Sequence, residues 1–430
     1  MYMAVSAWAW VKVKWVYCFT GQYRQQSKIH ALQYSLLKKE QRNYMMLMVN
    51  SFIELRFKKP ALTILGAAFL SSGIALAHAQ PVTKTHAQQE ISHELETYAT
   101  FDETTPPGNI AIGSDGRKFL SVHGFYGQST KVVELFNDGT VKPYPNEEWA
   151  TKPDENKLGL YDVLGLNVDQ NGVLWMLDTS AEDHAGRIVG WNTRSESLEK
   201  IIYIAKPMIT PGSFLNDLAV DAKHGKIYIA DTASNEQAAI IIADIKTGQV
   251  RRVLEGSEYT QAEDIDMTIE GRVITLGGQP ARLGINPITI DPESNWLYFG
   301  SMSGTSIYRI KTADLIDTRL DTSALESKIE RYGDKSISDG ITIDGGGNVY
   351  VTSVTKGAIE VTNPSGKSRT LYKDQRIIWP DGFAYGPDDY IYFTVNELYR
   401  SPVLNGGDNA SQGEFKVMRF PALSKGKPGR

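Results

Sequence analysis

A short alternating pattern of apolar and polar residues recurs along the chain after about residue 108. Each copy has a strand of period two, a polar turn that usually holds Asp, Gly or Asn, and a second strand with an aromatic residue. Such a pattern predicts a β-hairpin. The six copies cover residues 109–124, 164–179, 215–232, 285–301, 338–353 and 380–395.

The spacing of the copies predicts an all-β fold, a six-bladed β-propeller spanning residues 106–423. Their turns recur every ~45–70 residues, the range expected of propeller blades. Less regular strands between copies, such as 185–204 and 238–254, supply the outer two strands of each blade. We expect residues 93–101 to pair with residues 415–423 and close the ring. A pair of β-sandwiches is the alternative, and the six-fold period argues against it.

The N-terminal region has the composition of an export signal. Lys58 and Lys59 precede a short apolar run, and Ala77-His78-Ala79 fits a small-x-small cleavage site. Residues 45–79 are therefore predicted to be a signal peptide, and an uncleaved anchor is the alternative. Residues 1–44 are interpreted as an over-extended reading frame or a long n-region. Residues 80–105 form the N-terminal segment with the closing strand, and 424–430 a flexible tail.

Cleavage after Ala79 changes the charge and the cysteine content of the chain. Residues 1–79 hold 10 of the 45 basic and 2 of the 50 acidic residues, so the remaining chain has a net charge of −13. This charge disfavours nucleic acid and anionic membranes as partners and is compatible with a cationic ligand. Cys18, the single cysteine, lies in the removed part, so no disulfide is expected. The protein is predicted to be secreted or periplasmic.

The residues that begin the inner strands carry the candidate chemistry. In a propeller these residues converge on the central axis, and they are Gly108, Leu164, Asn216, Asn286, Asp339 and Asp381. Oxygen donors around a small opening are the ligands of a hard cation such as Ca²⁺. Asn216, Asn286, Asp339 and Asp381 are therefore candidate metal ligands, with backbone capping as the alternative role.

The second strands end on the same face, and their last residues are candidates for the wall of a ligand pocket. Asp178, Thr179, Asp231 and Asn396 are the predicted ligand-binding residues, although Asp-Thr pairs also form turns. His123 and His184 are the candidates for proton transfer near neutral pH, with purely structural roles as the alternative.

Other catalytic motifs do not occur in the sequence. It has no G-x-S-x-G elbow, H-E-x-x-H pair, P-loop or G-x-G-x-x-G after a strand. One cysteine and seven histidines make zinc catalysis an unfavoured interpretation.

Several of the blade segments resemble the major royal jelly protein/Yellow family, whose bacterial members are called dopachrome tautomerase-related. The resemblance rests on "GVLWMLDTS", "LYFGSMSGTSIYRIKTADL", "SDGITIDGGGNVYVT" and "WPDGFAYGPDDYIYF". It implies a secreted six-bladed propeller. A more distant similarity to gluconolactonase/senescence marker protein and paraoxonase propellers implies a divalent cation held by Asn216, Asp339 and Asp381. The glutamate that usually completes that site has no counterpart near Gly108.

Three functions remain open from the sequence. The first is binding of an aromatic, amine or quinone-like molecule in the axial pocket, with possible tautomerase or isomerase activity. The second is a Ca²⁺-dependent, lactonase-like hydrolase. The third is a non-catalytic interaction scaffold. The oligomeric state is open as well.

Overall fold

The computed structural model describes residues 94–153, 158–179, 181, 184–233 and 237–429. The predicted signal peptide and the residues before it lie outside this part of the chain. Within it, no helix has the length and apolar character needed to cross a membrane.

The described chain forms six four-stranded antiparallel blades, as the sequence predicts. The first blade comprises β2 (Pro107–Ile112), β3 (Lys118–Val122), β4 (Val132–Leu135) and β5 (Val141–Pro143). The second comprises β6 (Val163–Val168), β7 (Val173–Asp178), β8 (Gly186–Asn192) and β9 (Ser197–Ile204). The third comprises β10 (Leu215–Asp221), β11 (Lys226–Asp231), β12 (Ala239–Asp244) and β13 (Val250–Val253).

The remaining blades follow the same order. The fourth comprises β18 (Ile285–Ile290), β19 (Trp296–Ser301), β20 (Ser306–Lys311) and β21 (Glu330–Asp334). The fifth comprises β22 (Ser338–Ile343), β23 (Val349–Ser353), β24 (Ala358–Thr362) and β25 (Ser368–Lys373). The sixth comprises β26 (Pro380–Tyr385), β27 (Tyr390–Val395), β28 (Phe415–Pro421) and the N-terminal β1 (Glu96–Phe101).

The sixth blade joins the two ends of the propeller. β1 pairs antiparallel with β28, from Glu96 opposite Arg419 to Phe101 opposite Phe415. This pairing confirms the predicted closure and covers the β28 edge, which would otherwise be open to pairing with another chain.

In several of the hairpins, a turn aspartate binds the aromatic residue of the second strand. Asp169 accepts hydrogen bonds from the amides of Asn171 and Val173 and from the indole of Trp175. Asp344 does the same for turn amides and the Tyr350 hydroxyl, which lies 2.8 Å away. The carboxylate therefore fixes the turn and anchors the aromatic ring in the core.

Two segments lie outside the four-stranded blades. Residues 254–284 carry two small hairpins, β14 (Thr268–Ile269) with β15 (Arg272–Val273) and β16 (Thr275–Leu276) with β17 (Gln279–Pro280). Helices α1 (Thr312–Ile316) and α2 (Thr322–Glu326) lie between β20 and β21, and the amide of Thr312 donates to the carbonyl of Asn295 in the turn between β18 and β19.

The C-terminal residues contact the hairpin turns on the opposite face. The amide of Gly345 donates to the carbonyl of Lys425 at 2.8 Å. Gly429 is buried, with a carbonyl of the β6 turn nearby. The described part of the predicted flexible tail, 424–429, therefore packs against the blades.

Candidate functional site

A β-bulge interrupts the start of every inner strand and shapes the axial site. The register shifts at the second and third residues of β2, β6, β18, β22 and β26, and at the second residue of β10. A bulge turns side chains out of the regular alternation. The six inner-strand residues singled out from the sequence all line one cavity of about 360 Å³. They are Gly108, Leu164, Asn216, Asn286, Asp339 and Asp381.

Glycine at the next position lets neighbouring inner strands approach each other. A Cβ at Gly382 would lie 2.1 Å from Oδ1 of Asn109, and one at Gly340 would lie 2.3 Å from the carbonyl oxygen of Asp381. Both contacts are too short for any side chain, so the narrow axis requires glycine at these positions.

Two further inner-strand residues with polar side chains reach the cavity, although the pattern of strand starts does not single them out. Asn109 and Asp217 line it alongside the six expected residues. Asn109 Nδ2 donates to Asp217 Oδ1 at 2.9 Å, a bond that links blades one and three across the axis. The signal was visible in the "ND" pair at 216–217, because the bulge brings both residues of that pair to the cavity.

Three carboxylates, Asp217, Asp339 and Asp381, therefore stand in one cavity. Burial raises the pKa of Asp217 to about 7, and the charge of Asp339 adds to this rise. Burial likewise raises the pKa of Asp339 to about 6. Hydrogen bonds from Trp379 and Asn286 act in the opposite direction and lower this pKa. The pKa of Asp381 lies well above its ordinary value because of burial and the nearby charges of Asp339 and Asp217.

Fixed donors orient these carboxylates. The indole of Trp379 donates to Asp339 Oδ2 at 2.7 Å, and Asn286 Nδ2 donates to Oδ1 of the same carboxylate. Asn396 Nδ2 donates to Asp381 Oδ2 at 2.7 Å. Among the described residues, the second oxygen of Asp381 has no hydrogen-bond donor and remains available to a ligand.

The walls above the carboxylates are apolar and aromatic. Phe125 and Phe214 line the cavity with their ring centroids 6.2 Å apart, and Trp379 lines it from another side. Leu276 and Leu283 come from the 254–284 segment, and the loop after β27 adds further apolar residues: Leu398, Val403 and Leu404. No lysine or arginine is among the described residues that line the cavity.

A side-chain bridge joins the two segments that form these upper walls. Arg272 donates to Oδ1 of Asn405 and to the carbonyl of Tyr399, both at 2.9 Å. An apolar cluster that includes Met267, Trp379 and Leu398 packs below them. The two segments therefore form one roof. Leu276 and Val403, about 40% exposed, lie at its opening.

The two candidate histidines differ in position. His123 lines the cavity, and its Nδ1 accepts from the amide of Phe125 at 3.3 Å, which leaves the proton on Nε2. Burial lowers its pKa to about 3, so the ring is neutral at physiological pH. His184 stacks on Tyr161 at 3.8 Å and does not line the cavity.

The predicted wall residues lie beside the cavity instead of in it. Asp178 accepts from the amides of Tyr161 and Asp162 and pairs with Arg187 at 2.7 Å. Asp231 accepts from the Phe214 amide and pairs with Arg252.

These pairs hold the loop that precedes the inner strand of their blade. Thr179 and Asn396 are also absent from the cavity lining, and Asn396 acts on the site through Asp381.

The cavity continues toward the opposite face as a narrow polar channel. Asn109 and Asp217 line both spaces, and the channel has a volume of about 50 Å³. Lys427 and Gly429 of the C-terminal segment line its far end. The roof thus covers one mouth of the axis and the C-terminal segment the other.

The cation predicted from the sequence is compatible with part of this donor set. Asn216, Asn286, Asp339 and Asp381 line the same cavity, and Oδ1 of Asn286 is buried without a hydrogen-bond partner. Both oxygens of Asp339 already accept hydrogen bonds. Within the described ranges, no three His, Cys, Asp or Glu side chains are grouped closely enough to hold a metal. A metal here depends on carboxamide oxygens.

Comparison with known proteins gives one family and one fold. The family model described as major royal jelly protein matches residues 162–419, which is more than half of the chain. No curated protein sequence matches the chain.

Solved structures are similar in fold at low sequence identity. A luciferin-regenerating enzyme has a TM-score of 0.50 at 14% identity, covering 78% of this chain and 97% of its own. Regucalcin from Agrobacterium tumefaciens, described as calcium-binding, has a TM-score of 0.47 at 15% identity. The match covers 78% of this chain and 98% of the regucalcin chain. A gluconolactonase from Xanthomonas campestris has a TM-score of 0.47 at 14% identity. The match covers 76% of this chain and 89% of the gluconolactonase chain.

Proposed function

The chain belongs to the major royal jelly protein family, and we propose that it binds a small cationic aromatic molecule in the axial cavity. One observation carries this proposal. Three carboxylates, the buried Asp339 and the half-buried Asp217 and Asp381, share a cavity whose described lining contains no basic side chain. We also propose that the chain is exported, as its N-terminal sequence predicts.

The missing countercharge determines the preferred ligand. Carboxylates that are buried together without a cation hold their protons, as the raised pKa values of Asp217 and Asp339 indicate. An ammonium group supplies the countercharge and favours the ionised forms. Binding of an amine therefore releases protons and strengthens as the pH rises through these pKa values.

The walls suit the other half of such a ligand. The rings of Phe125, Phe214 and Trp379 line the cavity and suit an aromatic group or the cation itself. The volume of about 360 Å³ falls in the range of small-molecule pockets. A phenethylamine or a quinone-like derivative of one matches both the charge and the apolar walls.

The same carboxylates could support a tautomerase reaction. Ionised Asp217, with a pKa of about 7, removes a proton from carbon next to a carbonyl group. The same carboxyl group then gives that proton to the carbonyl oxygen, so the ligand is isomerised without a net change in atoms or electrons. Neutral His123 donates a hydrogen bond from Nε2 within the same cavity.

A divalent cation is the second candidate, and the unpartnered Oδ1 of Asn286 favours it. Asn216, Asn286, Asp339 and Asp381 would hold Ca²⁺, which polarises a lactone carbonyl in a lactonase-like reaction. The carboxylates would then be ionised by the metal instead of by an organic cation.

Calorimetric titration with three phenols tests the main proposal: tyramine, 4-ethylphenol without the charge, and 3-(4-hydroxyphenyl)propionate with the opposite charge. We expect tyramine to bind at least about tenfold more tightly than the other two, a difference of about 1.4 kcal/mol. Asp381→Asn should abolish this preference.

The control is Asp264→Asn, which removes a carboxylate that is 99% exposed and does not line the cavity. Equal binding of tyramine and 4-ethylphenol, or full tyramine affinity in Asp381→Asn, would contradict the proposal.

A further inference from the structure

A second cavity of about 280 Å³ lies on the side of the propeller, away from the axis. It is bounded by the link between blades four and five and by strands β24 and β25 of blade five. Its described lining shares no residue with the axial cavity. Two buried and oppositely charged side chains, Lys335 and Glu360, line it.

Lys335 is a buried ammonium group without a carboxylate partner. The side chain is 5% exposed, and Nζ donates to the carbonyls of Gly304 at 2.8 Å and Ser336 at 3.2 Å. Among the described residues it forms no ion pair. Burial lowers its pKa to about 7, while the charges of Glu263 and Glu360 act in the opposite direction.

The chain provides space for this lysine. A Cβ at Gly300 would lie 2.9 Å from Cε of Lys335, so the glycine lets the lysine methylenes pack against strand β19. The position of the ammonium group is therefore built into blade four.

Glu360 is a buried carboxylate with one unused oxygen. The side chain is 3% exposed in the middle of β24, and Oε1 accepts from Lys356 Nζ at 2.6 Å. Oε2 is buried without a partner among the described residues. An unsatisfied carboxylate oxygen in the interior is costly unless a ligand supplies a donor.

We propose that this side cavity binds a small zwitterion, with the chemistry of a free α-amino acid. The ligand carboxylate meets the ammonium group of Lys335, and the ligand ammonium group donates to Oε2 of Glu360. The described lining also holds Asp334, Lys356 and Arg369, so both signs of charge face the ligand. A simple anion is repelled by the two carboxylates, and a simple cation is repelled by the three basic groups. The volume is at the lower end of ligand pockets, so the ligand is small.

The test uses the full chain and the two halves of one amino acid. Calorimetry compares L-alanine with propionate, which has only the carboxylate, and with ethylamine, which has only the ammonium group. Glycine and L-glutamine extend the panel in ligand size. We expect saturable binding of at least one amino acid, and at least about tenfold weaker binding of both halves.

Two variants locate the site. Lys335→Met and Glu360→Gln keep the approximate shape of each side chain and should each weaken amino-acid binding by about tenfold or more. Asp381→Asn, in the axial cavity, should leave amino-acid binding unchanged, so this result is independent of the axial function.

Three results would overturn the proposal. The first is propionate binding as tightly as alanine, which would indicate an anion site. The second is full affinity in both variants. The third is the absence of saturable binding by all three amino acids up to about 50 mM. The comparison of alanine with its halves uses the unaltered protein, so it decides the question even if a variant fails to fold.

Discussion

The indole of Trp379 donates a 2.7 Å hydrogen bond to Oδ2 of Asp339, and this bond ties the start of blade six to the inner strand of blade five. Trp379 is 1% exposed and has a φ of 52°. A bulky residue in the left-handed region is strained, and such strain persists only where the surroundings hold it. The tryptophan is therefore positioned by the fold to serve the axial carboxylates.

Replacing Trp379 by Phe should weaken ligand binding while keeping an aromatic wall. Loss of the indole donor raises the pKa of Asp339, and one pKa unit corresponds to about 1.4 kcal/mol against the ionised form. We expect tyramine affinity near neutral pH to fall about fivefold in calorimetry. Trp191→Phe is the matched control, because its indole bonds to Glu196 away from the cavity. Equal losses in both variants would point to a general packing effect.

The pH dependence of stability should report Asp217. Its folded pKa is about 7 and its ordinary value 3.8, so the folded state binds this proton more tightly than the unfolded state. The free energy of unfolding therefore falls as the pH rises from about 4 to about 7. In Asp217→Asn this fall should be smaller, because Asp217 no longer contributes to it.

Urea unfolding of both proteins across that pH range measures the difference. His123 has a folded pKa of about 3 and therefore opposes the trend, since its stabilising contribution is lost as the pH falls below about 6.5. The comparison of wild type with Asp217→Asn cancels this term. Parallel pH profiles would mean that Asp217 ionises normally in the folded protein.

Asp231 and Asp381 should separate stability from binding. Asp231 is fully buried and pairs with Arg252, so Asp231→Asn leaves this buried guanidinium group with only Glu255, a half-exposed carboxylate, as countercharge. We expect the free energy of unfolding to fall by about 3 kcal/mol, with tyramine affinity of the folded protein unchanged. Asp381→Asn should lower the tyramine affinity without lowering the free energy of unfolding. Loss of affinity in folded Asp231→Asn would restore that residue to the ligand-binding set.

Calcium should distinguish the two candidate functions. A ligand that binds only the folded state raises the melting temperature. After chelator treatment at neutral pH, we expect tyramine to raise it and Ca²⁺ to leave it unchanged. A clear rise with Ca²⁺ that Asp339→Ala removes would instead favour the metal-dependent function, and a panel of lactones would then be assayed.

The sequence predicts the ring of axial residues well because symmetry does most of the positioning. Once six hairpins form blades, equivalent positions such as Asn216, Asn286 and Asp339 converge whatever their separation along the chain. The alternating pattern does not predict Asp217, because a bulge adds a second residue to the cavity and bulges leave no periodic signal.

The roles of Asp178 and Asp231 show a different limit. Both residues end second strands, as the pattern predicts, and this position alone favours a place in the pocket wall. Their partners, Arg187 and Arg252, come from outer strands whose sequence is irregular. The roof formed by 254–284 and the loop after β27 is likewise held by contacts such as Arg272 with Asn405, which no local pattern encodes.

The pairing of β1 with β28 also determines when the molecule can finish folding. Among the described elements β1 is synthesised first and β28 last. β1 cannot pair until β28 has been made, because Phe101 lies opposite Phe415. Contacts between residues so far apart in sequence are slow to form, and an unpaired strand is exposed to other chains in the meantime. A nascent or truncated chain that lacks residues 415–421 would therefore have an open ring with unpaired strand edges. Such edges can pair with the strands of a neighbouring molecule.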